Sequence, residues 1–591
     1  MTRLLVIDFE CFKYDWGCCL KDAMTGEEFD FWNDREGFLK FYNDNPDTLY
    51  IGYNIRHYDQ YIFKAILAGI DPWKVNEHII VKDEPGWSYS KAFRKIPLKF
   101  FDVMFRKDRS LKQIEGFIGL NIKESQVDFR VDRKLTPEEL EMTREYCMHD
   151  LRATWLVFHH SIDEFKSYIG LLKMFNFPMR DMCKTKAQLA SKVLGANMPE
   201  FERNDEWEFP IVDTIRLDKY KYIYDWYMNP ANRDEALTLV TEVAGLTTTY
   251  RWGGLHSGLE AFSKRTCILL VDVGSFYPAI MIVYNLLSRN VSTPDKFREL
   301  RDQRIEFKST DTGKADALKI VLNSAYGAMG DQYNALYDPR NMRAVCVNGQ
   351  LLLTDLVEKL GEHCKLINGN TDGLIFEIDE NEKELVMGIC KGWEIRTGMS
   401  LDYKFYDGIY QKDVNTYILV KDGEAVKRVG DYVKKSNPLD NDIPIVREGL
   451  VDYLVKGIRP EDTIMACNEL MKFQKIVKVG KSYIYGIKNS TFGVNRSWER
   501  RSSKDIWNRD GERLNERTFR VFASTRPEDG GIHKLKSEDA ANPEKIGNTP
   551  VKCFIWNDSV KGVECPSYLD RQYYIDLVYE RAKAFGVGDE A

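Results

Sequence analysis

Residues 269–280 (LLVDVGSFYPAI) and 365–378 (KLINGNTDGLIFEI) decide the expected fold of the middle of this chain. Each stretch places an aspartate, Asp272 or Asp372, at the end of an apolar, β-branched run, as expected for a buried strand. The second stretch alternates apolar residues on either side of a turn at residues 370–373, which predicts a β-hairpin. Strand-borne carboxylates suit Mg²⁺, which keeps part of its coordination shell for substrate phosphates. The two stretches therefore predict a site for two Mg²⁺ ions that handles a nucleoside triphosphate.

Length and composition exclude several classes of protein. The chain has 591 residues, of which 43% are apolar and 30% charged, so we expect several folded domains rather than disorder. No apolar run is long enough to span a membrane and no targeting signal is visible, so we expect a soluble, cytoplasmic protein. The twelve cysteines include no CxxC pair, which disfavours a structural zinc or iron–sulfur module.

Two segments are basic although the net charge of the chain is −7. Residues 472–504 carry nine Lys or Arg against one acid, with five aromatic residues among them, and residues 91–112 carry eight basic residues against two acids. Local stripes of this kind hold phosphate backbones whatever the total charge of the protein. A solvated basic face is the alternative interpretation of each stripe.

Three acidic patterns occur in order along the first 160 residues, which read as α/β. They are Asp8 and Glu10, Asn54 and Asp59, and Tyr146 and Asp150. The first pair lies two positions apart on a predicted strand, and the last pair lies four apart on a helix predicted to begin after Thr136, so each pair shares one face. Four acids and a tyrosine are able to hold two metal ions and to orient an attacking water, which predicts hydrolysis of a phosphodiester.

In this order, D-x-E, N-x-x-x-Y-D and Y-x-x-x-D resemble the three motifs of DEDD-type 3′–5′ proofreading exonucleases. The resemblance implies an RNase H-like domain in which the four acids ligate two Mg²⁺ ions. It also implies that Tyr146 assists catalysis and that Asn54 contacts DNA. Residues 110–114 (SLKQI) resemble a motif that contacts the single-stranded primer end in phage members, which implies DNA contacts by Ser110 and Leu111.

Further along, residues 272–278 (DVGSFYP), 319–327 (KIVLNSAYG) and 370–373 (NTDG) resemble motifs A, B and C of family B DNA polymerases. Residues 250–254 (YRWGG) resemble the YxGG link between the exonuclease and polymerase halves. The resemblance runs from residue 8 to about residue 420 and is greatest to compact bacteriophage enzymes. It implies an α/β and α+β multidomain fold, with an exonuclease domain followed by a right-hand polymerase of palm, fingers and thumb.

The expected domain boundaries follow from these motifs. They are 1–165 for the 3′–5′ exonuclease, 166–262 for a connecting region into the palm, 263–290 and 331–430 for the palm, 291–330 for the fingers, and 431–591 for the thumb and C-terminal region. We assign no chemistry to residues 166–250 from the sequence.

The resemblance also implies residue roles in the polymerase half. Asp272 and Asp372 would ligate two Mg²⁺ ions, with Mn²⁺ able to substitute. The implied nucleotide-binding residues are Lys319, Asn323, Tyr326, Arg304, Lys308 and Tyr277, and the last of these would exclude a 2′-hydroxyl. The implied DNA-binding residues are Tyr250, Gly253, Gly254, Tyr417, Lys478 and Lys481.

This chain departs from the family pattern at three positions. Asn370 stands where family members often have aspartate, and Gly373 replaces a common serine. Residues 415–417 (NTY) keep the tyrosine of a lysine-x-tyrosine motif and lack its lysine.

Only 47 residues separate Asp272 from Lys319, so there is little room for the insertions of protein-primed phage polymerases. We therefore expect extension of an ordinary nucleic-acid primer.

The expected function is DNA-templated DNA synthesis with 3′–5′ proofreading. The expected partners are primer–template DNA, dNTPs and phage or host replication proteins, with the chain acting as a monomer in the cytoplasm of an infected bacterium. One alternative is a 3′–5′ exonuclease with a degenerate, DNA-binding polymerase half. Another is a non-enzymatic replication or packaging factor that uses the basic stripes for binding alone.

Overall fold

The structure is a computed structural model that describes residues 3–198, 206–371, 373–479, 484–487, 506–507, 513–514, 517–527, 529–535 and 544–588. It has a mixed α/β, multidomain architecture, as the sequence predicts. None of the described helices has the length and apolarity needed to cross a membrane.

The first part of the chain forms a five-stranded sheet in the order β3-β2-β1-β4-β5. The strands are β1 (Leu4–Cys11), β2 (Trp16–Asp22), β3 (Glu28–Trp32), β4 (Leu49–Gly52) and β5 (Phe100–Asp102), and the helices are α1 (Arg35–Asp44), α2 (Asp59–Ala68), α3 (Pro72–Asn76), α4 (Gly86–Tyr89), α5 (Leu111–Phe117) and α6 (Pro137–His160). Strand β4 runs parallel to β1 and β5, whereas β2 is antiparallel to β1 and β3. The central strand β1 therefore carries Asp8 and Glu10 into the middle of the sheet.

Helix α6 begins where its sequence predicts. Thr136 caps the helix by accepting a hydrogen bond from the Glu139 backbone N–H at 3.2 Å, and the Glu139 carboxylate accepts one from the Thr136 N–H at 2.9 Å. Pro137 occupies the first turn, where a missing N–H costs nothing. This reciprocal capping positions α6 against β1 and β2.

The middle of the chain forms a seven-stranded antiparallel sheet in the order β13-β10-β12-β11-β8-β7-β6, called the central sheet below. The helices and strands of this middle part of the chain, in chain order, are α7 (Ile162–Met174), α8 (Lys186–Leu194), α9 (Lys221–Met228), β6 (Thr238–Val243), β7 (Leu246–Arg251), β8 (Gly254–Gly258), β9 (Phe262–Lys264), β10 (Ile268–Val273), α10 (Phe276–Val283), α11 (Asp295–Thr310), α12 (Thr312–Met329), α13 (Pro339–Leu360), β11 (Cys364–Asn370), β12 (Gly373–Ile378), α14 (Lys383–Thr397), β13 (Leu401–Tyr406), β14 (Gly408–Asp413), β15 (Thr416–Lys421) and β16 (Glu424–Val429). Strands β9, β14, β15 and β16 form a separate four-stranded sheet in the order β16-β15-β14-β9.

Both faces of the central sheet are buried. Leu269 and Val271 of β10 belong to the large core shared with the helices, whereas Ile268 and Leu270 pack in a second cluster with strands β14 and β15. The hairpin predicted at residues 370–373 forms, because Asn370 pairs with Gly373. Side chains on both faces of its strands are buried, rather than those on one face only, because other elements pack on each face of the sheet.

Residues 166–198 support helices further along the chain. Helix α12 packs on both α7 and α8, and it also packs against α11. Gly170 of α7 faces α12 so closely that an added Cβ would lie 3.4 Å from the Ala317 Cβ. Helices α7 and α8 therefore form a platform for α12.

The C-terminal part contains two helices, a series of short strands and a last helix. These elements are α15 (Pro444–Lys456), α16 (Pro460–Ala466), β17 (Lys475–Lys478), β18 (Ile484–Ile487), β19 (Ile506–Trp507), β20 (Arg513–Leu514), β21 (Thr518–Ala523), β22 (Ile532–Leu535), β23 (Glu544–Lys545), β24 (Cys553–Ile555) and α17 (Arg571–Lys583). Strands β17, β21 and β24 form one sheet, and helices α15, α16 and α17 pack together.

A buried arginine joins the C-terminal part of the chain to the first part, which contains the five-stranded sheet and is called the first sheet domain below. Arg520 of β21 has no exposed surface, and its guanidinium donates hydrogen bonds to the carbonyl oxygens of Gly116 (3.1 Å) and Leu120 (2.7 Å). It also donates to the carbonyl oxygens of Trp556 and Asp558. Burial lowers its pKa to about 10. A buried charge of this kind is stabilised only when its donors are satisfied, as they are here.

We expect Arg520→Met to lower the free energy of unfolding by about 3–5 kcal/mol, because it leaves several buried carbonyl groups unsatisfied. Denaturant unfolding measures the loss. Arg459→Met is the matched control, since Arg459 is exposed and, within the described part of the chain, forms an ion pair with Asp462 and no other acid. Equal stability of the two variants would show that the Arg520 contacts do not hold the two parts together.

Candidate active sites

The first candidate site gathers the four acids predicted from the first 160 residues. Glu10, Asp59 and Asp150 are only 4–7% exposed. Asp8 and Glu10 project from β1, Asp59 is the first residue of α2, and Asp150 lies on α6. The Cys147 thiol donates a hydrogen bond to the Asp8 carbonyl oxygen at 3.6 Å, which ties α6 to β1 beside the acids. Asp59 and Asp150 both interact electrostatically with Asp8, so the four acids lie in one neighbourhood, and Asp8 and Glu10 are close enough to share an ion.

The four acids of this site would be stabilised in their charged form by a nearby positive charge. Burial raises the pKa of Asp8 well above its ordinary value, and the neighbouring Asp150 and Asp59 raise it further. Burial likewise raises the pKa of Asp59 to about 7 and that of Asp150 to about 6. The pKa of Glu10 is raised as well, chiefly by burial and then by the neighbouring Asp8. Buried carboxylates that repel one another fit a divalent-cation site.

One lysine already supplies part of that charge. The Lys112 ammonium donates hydrogen bonds to Asp150 and to Glu115, the latter at 3.1 Å, and lies 4.4 Å from the Tyr146 ring centroid. Burial acts to lower the pKa of Lys112, but Asp150 and Glu115 hold it above its ordinary value. Glu115 is fully buried, and His149 lies 3.5 Å from its other oxygen. From the sequence, Lys112 was expected only as part of the basic stripe at residues 91–112 and of the SLKQI motif, with no role in this site.

A further acid that the sequence did not single out holds the Asn54 turn. Asp102, at the end of β5, accepts hydrogen bonds from the backbone N–H groups of Asn54 (3.1 Å) and Arg56 (3.0 Å). Asn54 has a positive φ of 64°, a conformation that asparagine adopts more readily than most residues. Asp102 therefore shapes the turn that leads into Asp59.

We expect the metal-free protein to lose stability as the pH rises from about 4 to about 7. The folded state holds protons on Asp59 and Asp150 at pH values where the unfolded chain has released them, so the stabilisation present below pH 4 disappears as the pH passes the folded pKa values. Mg²⁺ should therefore raise the melting temperature more at pH 8 than at pH 5.5. Thermal unfolding in EDTA and in Mg²⁺ tests this, and an equal Mg²⁺ effect at both pH values would contradict it.

The second candidate site lies on the central sheet. Asp272 of β10 pairs directly with Gly373 of β12 on one side and with Asp402 of β13 on the other. Directly opposed residues of neighbouring strands project from the same face, so the Asp272 and Asp402 side chains share a face. Asp372 itself lies outside the described residues. Its chain neighbour Gly373 nevertheless places the predicted turn beside Asp272.

Two glycines allow the chain to approach closely at this point. A Cβ on Gly373 would lie 2.3 Å from an Asp272 carboxylate oxygen, and a Cβ on Gly254 would lie 2.7 Å from the Thr371 hydroxyl. Gly254 also has a φ of 155°, which disfavours other residues. The Asn370 side-chain oxygen accepts a hydrogen bond from the Thr371 N–H at 2.8 Å, so it serves the turn. The YRWGG segment thus packs against the 370–373 turn.

The residues predicted to bind nucleotide lie on helices α10, α11 and α12. Lys319 and Asn323 are exposed on α12. Tyr326, on the same helix, packs against Tyr277 with ring centroids 4.2 Å apart, and Tyr277 lies in the first turn of α10, shortly after Asp272. The two tyrosines therefore link α12 to the chain that carries Asp272. Arg304 and Lys308 lie on α11, which packs against α12.

The residues predicted to bind DNA fall into two groups. Tyr250 and Tyr417 are buried, at 1% and 9% exposed, and the Tyr250 hydroxyl is hydrogen-bonded to that of Thr354 at 2.9 Å. Both side chains face the protein interior and support their strands. Those that lie at or near the surface are Ser110, Leu111, Gly253 and Lys478. Ser110 caps α5, and its N–H donates a hydrogen bond to the Gln113 side chain at 3.1 Å.

Lys481 and most of the basic stripe at residues 472–504 lie outside the described residues. Two lysines of the stripe that are described form ion pairs within the protein. Lys472 pairs with Glu448 at 3.1 Å, and Lys475 pairs with Asp442. Asp442 and Glu448 thus neutralise two lysines that the sequence analysis counted as available to bind phosphates.

Comparisons with known proteins find distant similarity to archaeal DNA polymerases. DNA polymerase 2 of Saccharolobus solfataricus is 22% identical over 243 residues, and the match covers 37% of this chain and 37% of that protein. The family B DNA polymerase of Pyrobaculum calidifontis superposes with a TM-score of 0.41 and 14% sequence identity, over all of this chain and 78% of that one. No family model matches the sequence. The sequence similarity is distant and spans little more than a third of the relative.

Proposed function

We propose that this protein is a DNA-templated DNA polymerase that extends a nucleic-acid primer with dNTPs and proofreads with a 3′–5′ exonuclease. The observation that carries the proposal is the pairing of Asp272 with Gly373, which sets one carboxylate beside the turn that contains the second. The separate buried acid site around β1 supports a second, hydrolytic activity. The distant similarity to an archaeal DNA polymerase agrees with the polymerase activity.

In the polymerase site, Asp272 and Asp372 would hold two Mg²⁺ ions, with Mn²⁺ able to substitute. The pairing of Asp272 with Asp402 offers a third carboxylate on the same face. In the β1 site, Asp8, Glu10, Asp59 and Asp150 would hold two more. At each site the ions would lower the cost of attack by oxygen on phosphorus and stabilise the leaving group.

The remaining residues position substrate and neutralise charge, which is most of what a protein contributes to phosphoryl transfer. Lys319 and Asn323 would meet the triphosphate, together with Arg304 and Lys308. Tyr326 would stack on the nascent base pair, and Tyr277 would pack under the sugar and exclude a 2′-hydroxyl. In the β1 site, Lys112 balances the charge of Asp150, and Tyr146 beside it would orient the attacking water.

The proposed domains keep the boundaries expected from the sequence. Residues 1–165 form an RNase H-like exonuclease, 263–290 and 331–430 the palm, 291–330 the fingers, and 431–591 the thumb and C-terminal region. Residues 166–262 connect the halves, and their helices α7 and α8 support the proposed fingers. The short interval between Asp272 and Lys319 supports a compact, phage-type enzyme without the insertions used for protein priming.

A primer-extension assay with a 5′-labelled primer, template, dNTPs and Mg²⁺ tests the proposal. Growth of the primer with dNTPs and its shortening without them are the expected results. Shortening under both conditions would instead favour an exonuclease with a degenerate polymerase half. An unchanged primer that shifts on a native gel would favour a binding protein without enzymatic activity.

A further inference from the structure

A large open cleft lies on the first sheet domain, outside both candidate active sites. It has a volume of about 960 Å³ and is bounded by one face of α2, by residues 83–100 and by residues 180–188. The face of α2 that lines it carries Gln60, Tyr61 and Lys64, whereas Asp59 at the start of the helix belongs to the acid site. The cleft therefore begins close to that site and leads away from it.

Basic side chains line the cleft without being neutralised. Arg94 and Lys95 are exposed there and belong to the basic stripe at residues 91–112 predicted from the sequence, and Arg180 is exposed on the opposite wall. Among the described residues, no carboxylate lies within ion-pair distance of these three. Asp83 and Glu84 stand on the rim, so basic groups outnumber the available acids. Asp181 also lines the cleft, but it is buried and pairs with Lys192.

One cation of the cleft is partly desolvated as well as unpaired. The Lys64 ammonium donates a hydrogen bond to the Gln60 side chain at 2.8 Å, and no described carboxylate pairs with it. Burial lowers the pKa of Lys64. A bound anion would offset this cost, because an opposite charge favours the ammonium form.

The cleft also carries an exposed aromatic surface. Trp87 of α4 is 57% exposed, which is unusual for a tryptophan. The segment that presents it is held tightly, because a Cβ on the adjacent Gly86 would lie 2.3 Å from the Tyr61 ring. An exposed aromatic residue beside unpaired cations is the pattern by which single-stranded nucleic acids are bound, through base stacking and phosphate contacts.

We propose that this cleft binds a segment of single-stranded DNA, several nucleotides long, at a site separate from both active sites. The inference rests on the proposed function for the identity of the ligand. Arg94, Lys95 and Arg180 contact phosphates, Lys64 supplies charge at the floor, and Trp87 stacks on a base. The strand is either the unpaired template ahead of the primer end or a primer end that has left its template.

Binding of a fluorescein-labelled 16-mer of oligothymidylate, followed by anisotropy in EDTA, tests the site without cleavage of the probe. We expect Arg94→Ala with Lys95→Ala to raise Kd about tenfold and to reduce the slope of log Kd against log salt by about 1.4, since each phosphate contact on a single strand contributes about 0.7. Trp87→Ala should raise Kd about tenfold with the slope unchanged.

Lys134→Ala with Lys173→Ala is the matched control, because it removes two exposed lysines that do not line the cleft. Cleft variants that bind the 16-mer as tightly as this control would overturn the proposal. All of these side chains are largely exposed, so the variants are expected to fold, and thermal melting checks this. If the unmutated protein does not extend a primer, the proposed function is wrong, but the result of this binding experiment still stands.

Four duplex substrates identify the strand. If the cleft holds the template, the variants lose affinity for a primer–template with a 20-nucleotide 5′ overhang and not for one with a 2-nucleotide overhang. If it holds a separated primer end, they lose affinity for a duplex with a 3′ overhang. An equal loss on blunt duplex would show that the cleft binds double-stranded DNA and would overturn the assignment to single strands.

Discussion

Asp272→Asn is expected to reduce DNA synthesis by about 10³-fold, or ~4 kcal/mol of activation free energy, and to leave primer shortening intact. The asparagine keeps the size of the side chain and its place on β10, but a neutral amide is a poor ligand for a hard cation. The Lys427 ammonium, 3.8 Å from the Asp272 carboxylate, would then face no charge at this position. Folding should change little, because Asp272 is about one-third exposed.

Single-turnover extension and shortening of the same labelled primer measure the two activities separately. Asp44→Asn is the matched control, since Asp44 is an exposed aspartate on α1 whose one ion pair among the described residues is with Lys40. The control should retain both activities. Full synthesis by Asp272→Asn would remove Asp272 from the metal site, and loss of both activities would show that the two sites do not act independently.

The elements that the sequence predicted correctly are those set by local pattern. Helix α6 was predicted from Thr136 and Pro137, because a capping box specifies a helix start within four residues. The 370–373 hairpin was predicted from apolar alternation around a short turn. In both cases the residues that determine the structure are neighbours in the chain.

Other features depended on contacts that local pattern does not contain. Asp402 faces Asp272 only because β13 pairs with β10 in one register, and a shift of one residue would have turned it to the other face. Lys112 enters the acid site because α5 packs against α6. Tyr250 and Tyr417 were expected to contact DNA, but they are buried because layers cover both faces of their sheets, which depends on the arrangement of the whole chain.

Asp8→Ala with Glu10→Ala is expected to abolish primer shortening and to spare extension. The two side chains share a face of β1 and together supply half of the carboxylates in the first site. Their loss leaves Asp59 and Asp150, with Asp150 still paired to Lys112, so the remaining acids hold too little charge for two divalent ions. The thermal stabilisation by Mg²⁺ at pH 8 should shrink in the same variant.

The variant should also be stable without metal, and this separates a catalytic loss from a folding defect. Burial and mutual repulsion raise the pKa values of Asp8 and Glu10, so their charged forms destabilise the metal-free fold. Removing them relieves that repulsion and opposes the cost of the small cavities left behind. A melting temperature in EDTA at pH 8 that is close to that of the unchanged protein, together with full extension and no shortening, would assign hydrolysis to this site. Shortening that persists would place it elsewhere in the chain.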